Sequence, residues 1–436
     1  MQSFANRYDV VIVGGGHNGL VSACYLAKAG FSVLVLERNP ELGGASRSAF
    51  PFKGIEAKLS VYSYLVSLFP QRIIDDLGLR LQLQSRRTAS YTPSIHGGDF
   101  SELLLVDDDA DDNREAFLAL TGDDYDYRGY LELQAMQEQL ASIVWPSLLE
   151  PLVSKEELRG RMDEDGKRAW RRLIEEPLGR VVEEKVSSDL VRGLVFTDAK
   201  IGVSVPPHDP SLLQNRCFLY HVIGQGTGEW RVPVGGMGTL IDELVRVAQE
   251  TGKVTIATSA TVRSVFPDHR LSTLTFELEG ENRQVDARYI LCNGSQSELA
   301  RLTGEPVENV SVDEGTAFKV NMLLKRLPRL RSDKCCPEEA FAGTFHVDEG
   351  YEQMLTSYDS SRSGQMPSTP PGEVYCHTLT DPSILSPELQ AKGFHTLTLF
   401  GLDMPYRLFE NGNERARDMP LQRYLSGINQ CLDQPI

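Results

Sequence analysis

The chain contains 436 residues, enough for two or three domains or for one pair of interleaved domains. Hydrophobic residues make up 41% of it and charged residues 24%, which excludes a disordered chain, a collagen-like chain and a polytopic membrane protein. The net charge is −17, so an acidic surface would repel phosphate backbones, and we expect no nucleic-acid partner.

The cysteines and the apolar segments indicate in which cellular compartment the protein lies and whether it crosses a membrane. The seven cysteines are scattered and include no CxxC pair, which favours free thiols in a reducing compartment, and we expect a cytoplasmic protein. The longest apolar-looking segment, residues 59–69, is shorter than the ~20 residues that a membrane-spanning helix needs. We therefore expect no transmembrane segment, and peripheral contact with a membrane stays open.

The N-terminal residues predict a compact βαβ unit. Residues 9–13 are a short β-branched run, typical of a buried parallel strand. Residues 20–29 have the pattern of a helix that ends at Gly30. Residues 31–36 are a second apolar strand, which ends at Glu37.

The turn between the first strand and the helix has the pattern GxGxxG. Gly14 permits the tight turn, Gly16 lets backbone amides approach a pyrophosphate, and Gly19 lets the helix pack on the strand. With His17 and Asn18, these positions place the free N–H groups of the helix N-terminus against the phosphates. The strand before the motif and the helix after it make this a dinucleotide-binding signal rather than an isolated match.

An acid at the end of the second strand completes this signal. Glu37, with Arg38 beside it, lies where a carboxylate accepts hydrogen bonds from both ribose hydroxyls of an adenosine. A negative charge there would repel a 2′-phosphate, so NADP is disfavoured at this site.

A glycine doublet after the acid distinguishes between cofactors. Gly43 and Gly44 let the backbone approach the cofactor again, with Ala45 next to them. Arg47 offers guanidinium donors to a phosphate or to the flavin edge. The doublet resembles a motif of FAD enzymes in the amine oxidase and carotenoid desaturase group, so we expect FAD.

The rest of the chain predicts a second domain and a return to the first. Residues 60–220 have helical periodicity in places, for example over residues 130–149. A helix over residues 240–248 stops at Gly252, and short strands over residues 254–257, 260–266, 271–278 and 284–291 are expected to form a β-meander. Residues 316–324 predict another strand. There is no second strand–GxGxxG–helix and no CxxC pair, which argues against a disulfide reductase with two dinucleotides.

Residues 8–48 resemble the phytoene desaturase-like FAD oxidoreductases. Later segments carry the same likeness, namely residues 59–68, 197–202, 207–208, 220–224, 235–240, 319–321, 381–383 and 404–406. The resemblance implies an α/β fold, in which a Rossmann-like FAD-binding domain of the glutathione reductase/amine oxidase type is interleaved with an α+β substrate domain. It implies the FAD-binding domain at residues 1–60 and 225–300, and the substrate domain at residues 61–224 and 301–436.

The resemblance also implies two further contacts with the cofactor. Val262 lies where these enzymes contact adenine through main-chain groups, and Asn293 lies in the segment that returns to the dinucleotide. The family normally closes with a glycine-rich run that contacts the flavin, and nothing after Gly427 is glycine-rich. We therefore expect the last strand and helix of the FAD domain to be absent or divergent.

These features predict an FAD-dependent oxidoreductase that oxidises a hydrophobic or amphipathic organic substrate by hydride transfer to the flavin. One alternative is a carotenoid or polyene desaturase or isomerase at a membrane surface, with residues 59–69 as its apolar entrance. Another is a catalytically impaired protein that retains the fold and acts through protein contacts. No residue is assigned to catalysis, although His221 is a candidate polar group near the flavin, and no metal site is expected from the spacing of His, Asp and Glu.

Overall fold

A computed structural model describes residues 4–96, 99–107, 109–306, 314–410 and 412–436 of the chain. Contacts divide the chain into two compact units. Unit 1 comprises Met1–Leu65, Pro70–Leu83 and Pro233–Asp313, and unit 2 comprises Val66–Phe69, Gln84–Val232 and Glu314–Ile436. The assignment of one unit to FAD and the other to substrate, with the bounds given above, stays a prediction.

The strands, in chain order, are β1 (Arg7–Val13), β2 (Val33–Leu36), β3 (Ser48–Ala49), β4 (Leu59–Ser60), β5 (Leu83–Gln84), β6 (Thr88–His96), β7 (Asp99–Val106), β8 (Val232–Pro233), β9 (Val254–Ala257), β10 (Thr261–Phe266), β11 (Ser272–Leu278), β12 (Glu281–Cys292), β13 (Phe318–Leu324), β14 (Thr344–Val347), β15 (Gly372–Tyr375) and β16 (His395–Gly401).

The α-helices are α1 (His17–Lys28), α2 (Gln71–Leu77), α3 (Ala110–Thr121), α4 (Tyr125–Ser147), α5 (Lys155–Gly160), α6 (Glu164–Trp170), α7 (Leu178–Lys185), α8 (Asp189–Phe196), α9 (Leu213–Val222), α10 (Gly238–Glu250), α11 (Gln296–Thr303), α12 (Pro337–Ala340), α13 (Tyr351–Arg362), α14 (His377–Thr380), α15 (Pro387–Ala391), α16 (Asn413–Ala416) and α17 (Asp418–Gln430). Short 3-10 turns include Gly44–Ser46 and Thr197–Ala199.

The sheet of unit 1 has the strand order β10-β11-β12-β1-β2-β9. Its central strands β12, β1, β2 and β9 are parallel. All four residues of β2 are buried, as expected for a parallel strand that is covered on both faces. Helices α1 and α10 pack against each other, and the Cys24 thiol on α1 donates to the Leu244 carbonyl on α10 at 3.2 Å.

One part of the predicted β-meander was wrong. β10, β11 and β12 do form an antiparallel meander. However, β9 lies at the opposite edge of the sheet, where Val254–Ala257 pair in parallel with Val33–Leu36. β9 is an edge strand of which Ala257 is buried, and the Ala260 amide, between β9 and the meander, donates to the Glu37 carbonyl at 2.8 Å.

Unit 2 combines a mixed sheet with a helical layer. Its sheet has the order β13-β16-β15-β14-β6-β7, antiparallel except where β14 pairs in parallel with β6. One buried core surrounds Tyr91, Phe345 and Tyr424 in the sheet layer. A second core, around Leu140 and Trp170, joins the helices. The fold is therefore mixed α/β, with a Rossmann-like unit 1, as predicted.

Among the described residues, no helix is long and apolar enough to cross a membrane.

Candidate functional site

The predicted phosphate-binding turn lies between β1 and α1. Gly14 has a φ of 102°, a left-handed conformation that favours glycine, and its amide donates to the Leu36 carbonyl at 2.8 Å. The first bond of α1 runs from the Leu20 amide to the Gly16 carbonyl at 3.0 Å. The amides of the preceding residues, His17, Asn18 and Gly19, therefore have no partner within the helix and are the groups that a phosphate would meet.

The lack of a side chain at each glycine of the turn has a visible reason. A Cβ at Gly19 would lie 2.4 Å from the Gly14 carbonyl oxygen, so the helix could not approach the strand. A Cβ at Gly16 would lie 3.3 Å from the Asn293 amide nitrogen. Gly15, which the GxGxxG pattern leaves unspecified, is also crowded, because its Cβ would lie 2.5 Å from a methyl group of Leu42, which would have to shift.

Glu37 is a buried carboxylate that already holds the chain around it. Its Oε2 accepts the Gly15 amide at 2.8 Å, and its Oε1 accepts the backbone and side-chain nitrogens of Asn39 at 2.8 and 2.7 Å. A carboxylate has about four acceptor positions, so Glu37 retains capacity for a ribose hydroxyl. Arg38 is exposed beside it.

The glycine doublet folds back onto the first glycine turn. The Gly43 amide donates to the Gly15 carbonyl at 2.9 Å, and Gly16 and Gly43 form an isolated parallel bridge. Gly43 and Gly44 have φ angles of 114° and 55°. A Cβ at Gly44 would lie 3.3 Å from the Gly16 Cα, so two backbone segments meet here without side chains between them. This cradle has the shape and the donors that a pyrophosphate needs, and the residues present fit FAD.

The three residues that follow the glycine doublet, Ala45 to Arg47, have different surroundings. The Ser46 hydroxyl lies 3.3 Å from Nδ1 of His17, and burial lowers the pKa of that histidine, which favours its neutral form at pH 7. Ala45 is exposed. Arg47 forms an ion pair with Glu41 at 3.0 Å, so in this structure its guanidinium is directed to a carboxylate.

Asn293 and Val262 lie in different surroundings. The Asn293 amide donates to the Val13 carbonyl at 2.8 Å, and its side chain lies 3.4 Å from the Gly14 carbonyl, so the segment after β12 reaches the glycine turn. Val262 lies on β10, which is an edge strand, and its side chain is 5% exposed in the hydrophobic core. The structure thus brings Asn293 to the cradle and places Val262 in the core, and both cofactor contacts stay predictions.

His221, the candidate polar group in unit 2, has contacts that explain its burial. It is 7% exposed, its Nδ1 lies 2.8 Å from the Cys217 carbonyl one helical turn earlier, and its ring stacks on Trp230 at 5.5 Å. These contacts fix the position of the ring. A role of His221 in catalysis stays unassigned.

Lys319 is a titratable residue to which the sequence assigned no role, although residues 319–321 are among the segments that carry the family likeness. It lies on β13, and burial lowers its pKa from 10.5 to about 7. The available signal was a lysine within the apolar strand predicted over residues 316–324. A strongly shifted pKa marks a residue for functional tests, because charged groups are buried at a cost.

Comparisons with known proteins place the chain among oxidoreductases. The model of an NAD(P)-binding Rossmann-like domain matches residues 12–71, which include both glycine motifs. The uncharacterized protein Rv0897c of Mycobacterium tuberculosis is 42% identical over 440 residues, covering 100% of this chain and 81% of the relative. Pyridine nucleotide-disulfide oxidoreductase domain-containing protein 2 of Rattus norvegicus is 29% identical over 478 residues, covering 99% of this chain and 80% of the relative.

Solved structures show the same fold. Cyclohexylamine oxidase from Brevibacterium oxydans superposes with a TM-score of 0.59 at 16% identity, covering 98% of this chain and 81% of the oxidase.

A shorter sequence match joins 40 residues, 9% of this chain and 8% of the relative, to the carotenoid 3,4-desaturase of Haloarcula japonica at 62% identity. The chain therefore belongs to the same family as Rv0897c, a family of oxidoreductases homologous to pyridine nucleotide-disulfide oxidoreductase domain-containing protein 2, with a Rossmann-like domain that binds FAD.

Proposed function

We propose that this protein oxidises a hydrophobic or amphipathic organic substrate, with FAD bound in unit 1 as the hydride acceptor. The observation that carries the proposal is the meeting of Gly16 and Gly44 without side chains between them, at the start of α1. A phosphate needs such an open backbone surface with free amides, and a metabolite without a pyrophosphate does not.

The residues of the cradle have separate tasks in this proposal. The amides of His17, Asn18 and Gly19 donate to the pyrophosphate, and the helix dipole adds a favourable positive end. Glu37 fixes the glycine turn through Gly15 and accepts a ribose hydroxyl. When bound, FAD supplies a two-electron acceptor for the hydride of a C–H bond.

A polyene substrate taken up at a membrane surface is the second candidate, favoured by the short match to a carotenoid desaturase. That version predicts an exposed apolar entrance within residues 59–69. Leu59 and Val66 are 3% and 5% exposed, and Tyr62, at 59%, is the large exposed side chain of the segment. This burial favours a substrate that enters from solution over one taken up through this segment.

Gly16→Ala tests the cofactor site. The added methyl group meets a side-chain amide at 3.3 Å, which can shift, so the chain should fold, while the methyl occupies the surface that the pyrophosphate needs. We expect purified wild-type protein to show the absorption bands of bound flavin, and Gly16→Ala to retain at most about a tenth of that flavin.

Gly160→Ala is the matched control, because Gly160 ends α5 and a Cβ there meets nothing within 4 Å. Its flavin content should equal that of the wild type. Undiminished flavin in a folded Gly16→Ala variant would contradict the assigned site, and a wild type that stays colourless after addition of FAD would contradict the cofactor.

The reaction itself is tested by anaerobic reduction. Candidate hydrophobic alcohols, amines and polyenes are added to the flavin-loaded protein, and bleaching of the flavin absorption is followed. Bleaching by at least one class, absent in Gly16→Ala, is the expected result. Free flavin reduced equally fast by the same compound would remove the support for a protein-bound substrate.

A further inference from the structure

Unit 2 contains a buried cluster of three metal-ligating side chains that the cofactor site does not use. His346 on β14, Glu349 just after β14 and Glu373 on β15 each offer one ligand atom, and these atoms lie within 4.8 Å of one another. The three residues are 3%, 2% and 1% exposed. All three residues belong to unit 2, so the cluster lies within that unit.

The backbone holds the three side chains together. His346 and Glu373 are direct partners in the antiparallel pair β14–β15. Asp348 has a φ of 54°, a left-handed conformation uncommon for a residue with a side chain, and this turn returns Glu349 to the cluster. A Cβ at Gly193 would lie 1.9 Å from the Glu349 carbonyl oxygen, so α8 presses directly on that turn. The arrangement is therefore defined by packed backbone rather than by a loose loop.

One ligand oxygen in the cluster is unsatisfied. Oε2 of Glu349 contacts Nδ1 of His346, and the Thr197 hydroxyl also acts on this carboxyl group, whereas the buried Oε1 has no partner of good hydrogen-bond geometry among the described residues. Glu373 accepts the Thr197 hydroxyl at 3.3 Å and the Tyr375 hydroxyl. A buried polar atom without a partner is costly, so the free oxygen indicates a missing occupant.

The charges near the cluster indicate a cation. Asp198 is a further acid, and its negative charge raises the pKa of Glu349 and of Glu373. Arg86 acts on Asp198 and His346, and its guanidinium donates to the Thr344 hydroxyl at 3.1 Å. The four acids Asp198, Asp348, Glu349 and Glu373 outnumber the single guanidinium of Arg86, and a divalent cation would offset this excess of acidic groups.

We propose that His346, Glu349 and Glu373 bind one divalent first-row transition metal ion, of the class of Zn²⁺ and Mn²⁺, as a structural site. Imidazole and carboxylate are ligands that both ions accept. All three ligands are buried, so the ion would join β14, β15 and the turn against α8, and a water molecule would supply the fourth ligand. The competing occupant is the proton, since burial raises the pKa of Glu373 to about 8.

The test measures metal in the full chain, purified without a histidine tag and without chelators. Elemental analysis should find about one Zn²⁺ or Mn²⁺ per chain, a chelator should lower the melting temperature, and Zn²⁺ or Mn²⁺ added back should restore it. Glu349→Gln keeps the shape of the side chain and removes its charge, and we expect it to lower metal content at least about tenfold. Flavin content is measured in the same samples, so the two sites are scored separately.

Glu352→Gln is the matched control, because it makes the same chemical change at an exposed glutamate of α13 in the same unit. It should retain the metal. Two results would overturn the proposal. One is a wild-type protein that contains no metal and whose melting temperature does not change when Zn²⁺ or Mn²⁺ is added. The other is a Glu349→Gln variant that binds as much metal as the wild type. If Glu349→Gln does not fold, the visible absorption of Co²⁺ added to chelated wild-type protein decides, because bound Co²⁺ shows intensified bands and their absence overturns the site.

Discussion

At the residue scale, a few side chains determine whether the cradle exists. Glu37 was expected to bind ribose, and the structure shows that it also ties the Gly15 amide and Asn39 into place. The glycine pattern identified Gly16 and Gly19, but it could not show that the side chains of Leu42 and Glu37 crowd Gly15, because both lie in another segment.

Glu37→Gln should weaken FAD binding without unfolding the protein. Glutamine keeps one acceptor oxygen and loses the charge, so the bonds to Gly15 and Asn39 cannot all be retained. We expect a loss of about 1–3 kcal/mol in FAD affinity, measured by flavin fluorescence quenching. Exposed Glu56 supplies the control as Glu56→Gln, the same chemical change away from the glycine motifs, and equal affinity in both variants would show that Glu37 does not act on the cofactor.

Lys319→Met should stabilise the protein more at low pH than at high pH. With a folded pKa of about 7 and an ordinary value of 10.5, Lys319 opposes folding fully below pH 7, and this opposition fades as the pH rises toward 10.5. Each pH unit in this window is worth at most about 1.4 kcal/mol. The gain in melting temperature over wild type should therefore be larger at pH 6 than at pH 10.

Exposed Lys53 provides the comparison for that experiment, because Lys53→Met should change the melting temperature little and equally at both pH values. A Lys319→Met variant that is less stable than wild type at pH 6 would contradict this prediction. It would show that the favourable interactions of the charged lysine exceed the free-energy cost of burying its charge.

At the element scale, periodicity located most strands and helices of unit 1. The predicted strands over residues 9–13 and 31–36 correspond to Arg7–Val13 and Val33–Leu36, and the helix over residues 240–248 corresponds to Gly238–Glu250. The error at Val254–Ala257 has a clear cause. An apolar strand of four residues contains no information about whether its partner is the next strand or β2, and only the packed sheet decides.

Leu244→Ala tests the packing of α10 on α1. Leu244 is fully buried, and its carbonyl accepts the Cys24 thiol. Truncation should lower the free energy of unfolding by about 2–5 kcal/mol, measured by urea unfolding followed through release of flavin, which reports on unit 1. Leu299→Ala, at a leucine of α11 that is 43% exposed, should cost less than about 0.5 kcal/mol. Similar losses in both variants would refute the packing argument.

At the scale of the whole molecule, the cysteines confirm the prediction of free thiols. All seven are unpaired, and Cys336 is exposed, Cys292 is intermediate and the other five are buried. Burial raises the pKa of the neighbouring Cys335 to about 12, which keeps that thiol unreactive at neutral pH.

Thiol titration of the native protein should therefore show one rapidly labelled cysteine. Cys336→Ser should abolish this phase, and all seven thiols should react after unfolding. Because no disulfide contributes to stability, a reducing agent should leave the melting temperature unchanged. Fewer than seven thiols in the unfolded, unreduced protein would contradict this assignment.

The sequence by itself determined the family, the dinucleotide-binding turn and most elements of unit 1, because these depend on local spacing of glycines and apolar residues. Tertiary structure alone decided three things. It placed Val254–Ala257 beside β2, it brought Gly44 against the backbone of Gly16, and it assembled His346, Glu349 and Glu373. Strand pairing joins His346 to Glu373 across 26 intervening residues, and no motif spacing in the sequence indicates that they are close. Backbone pairing and burial, rather than local pattern, bring these groups together.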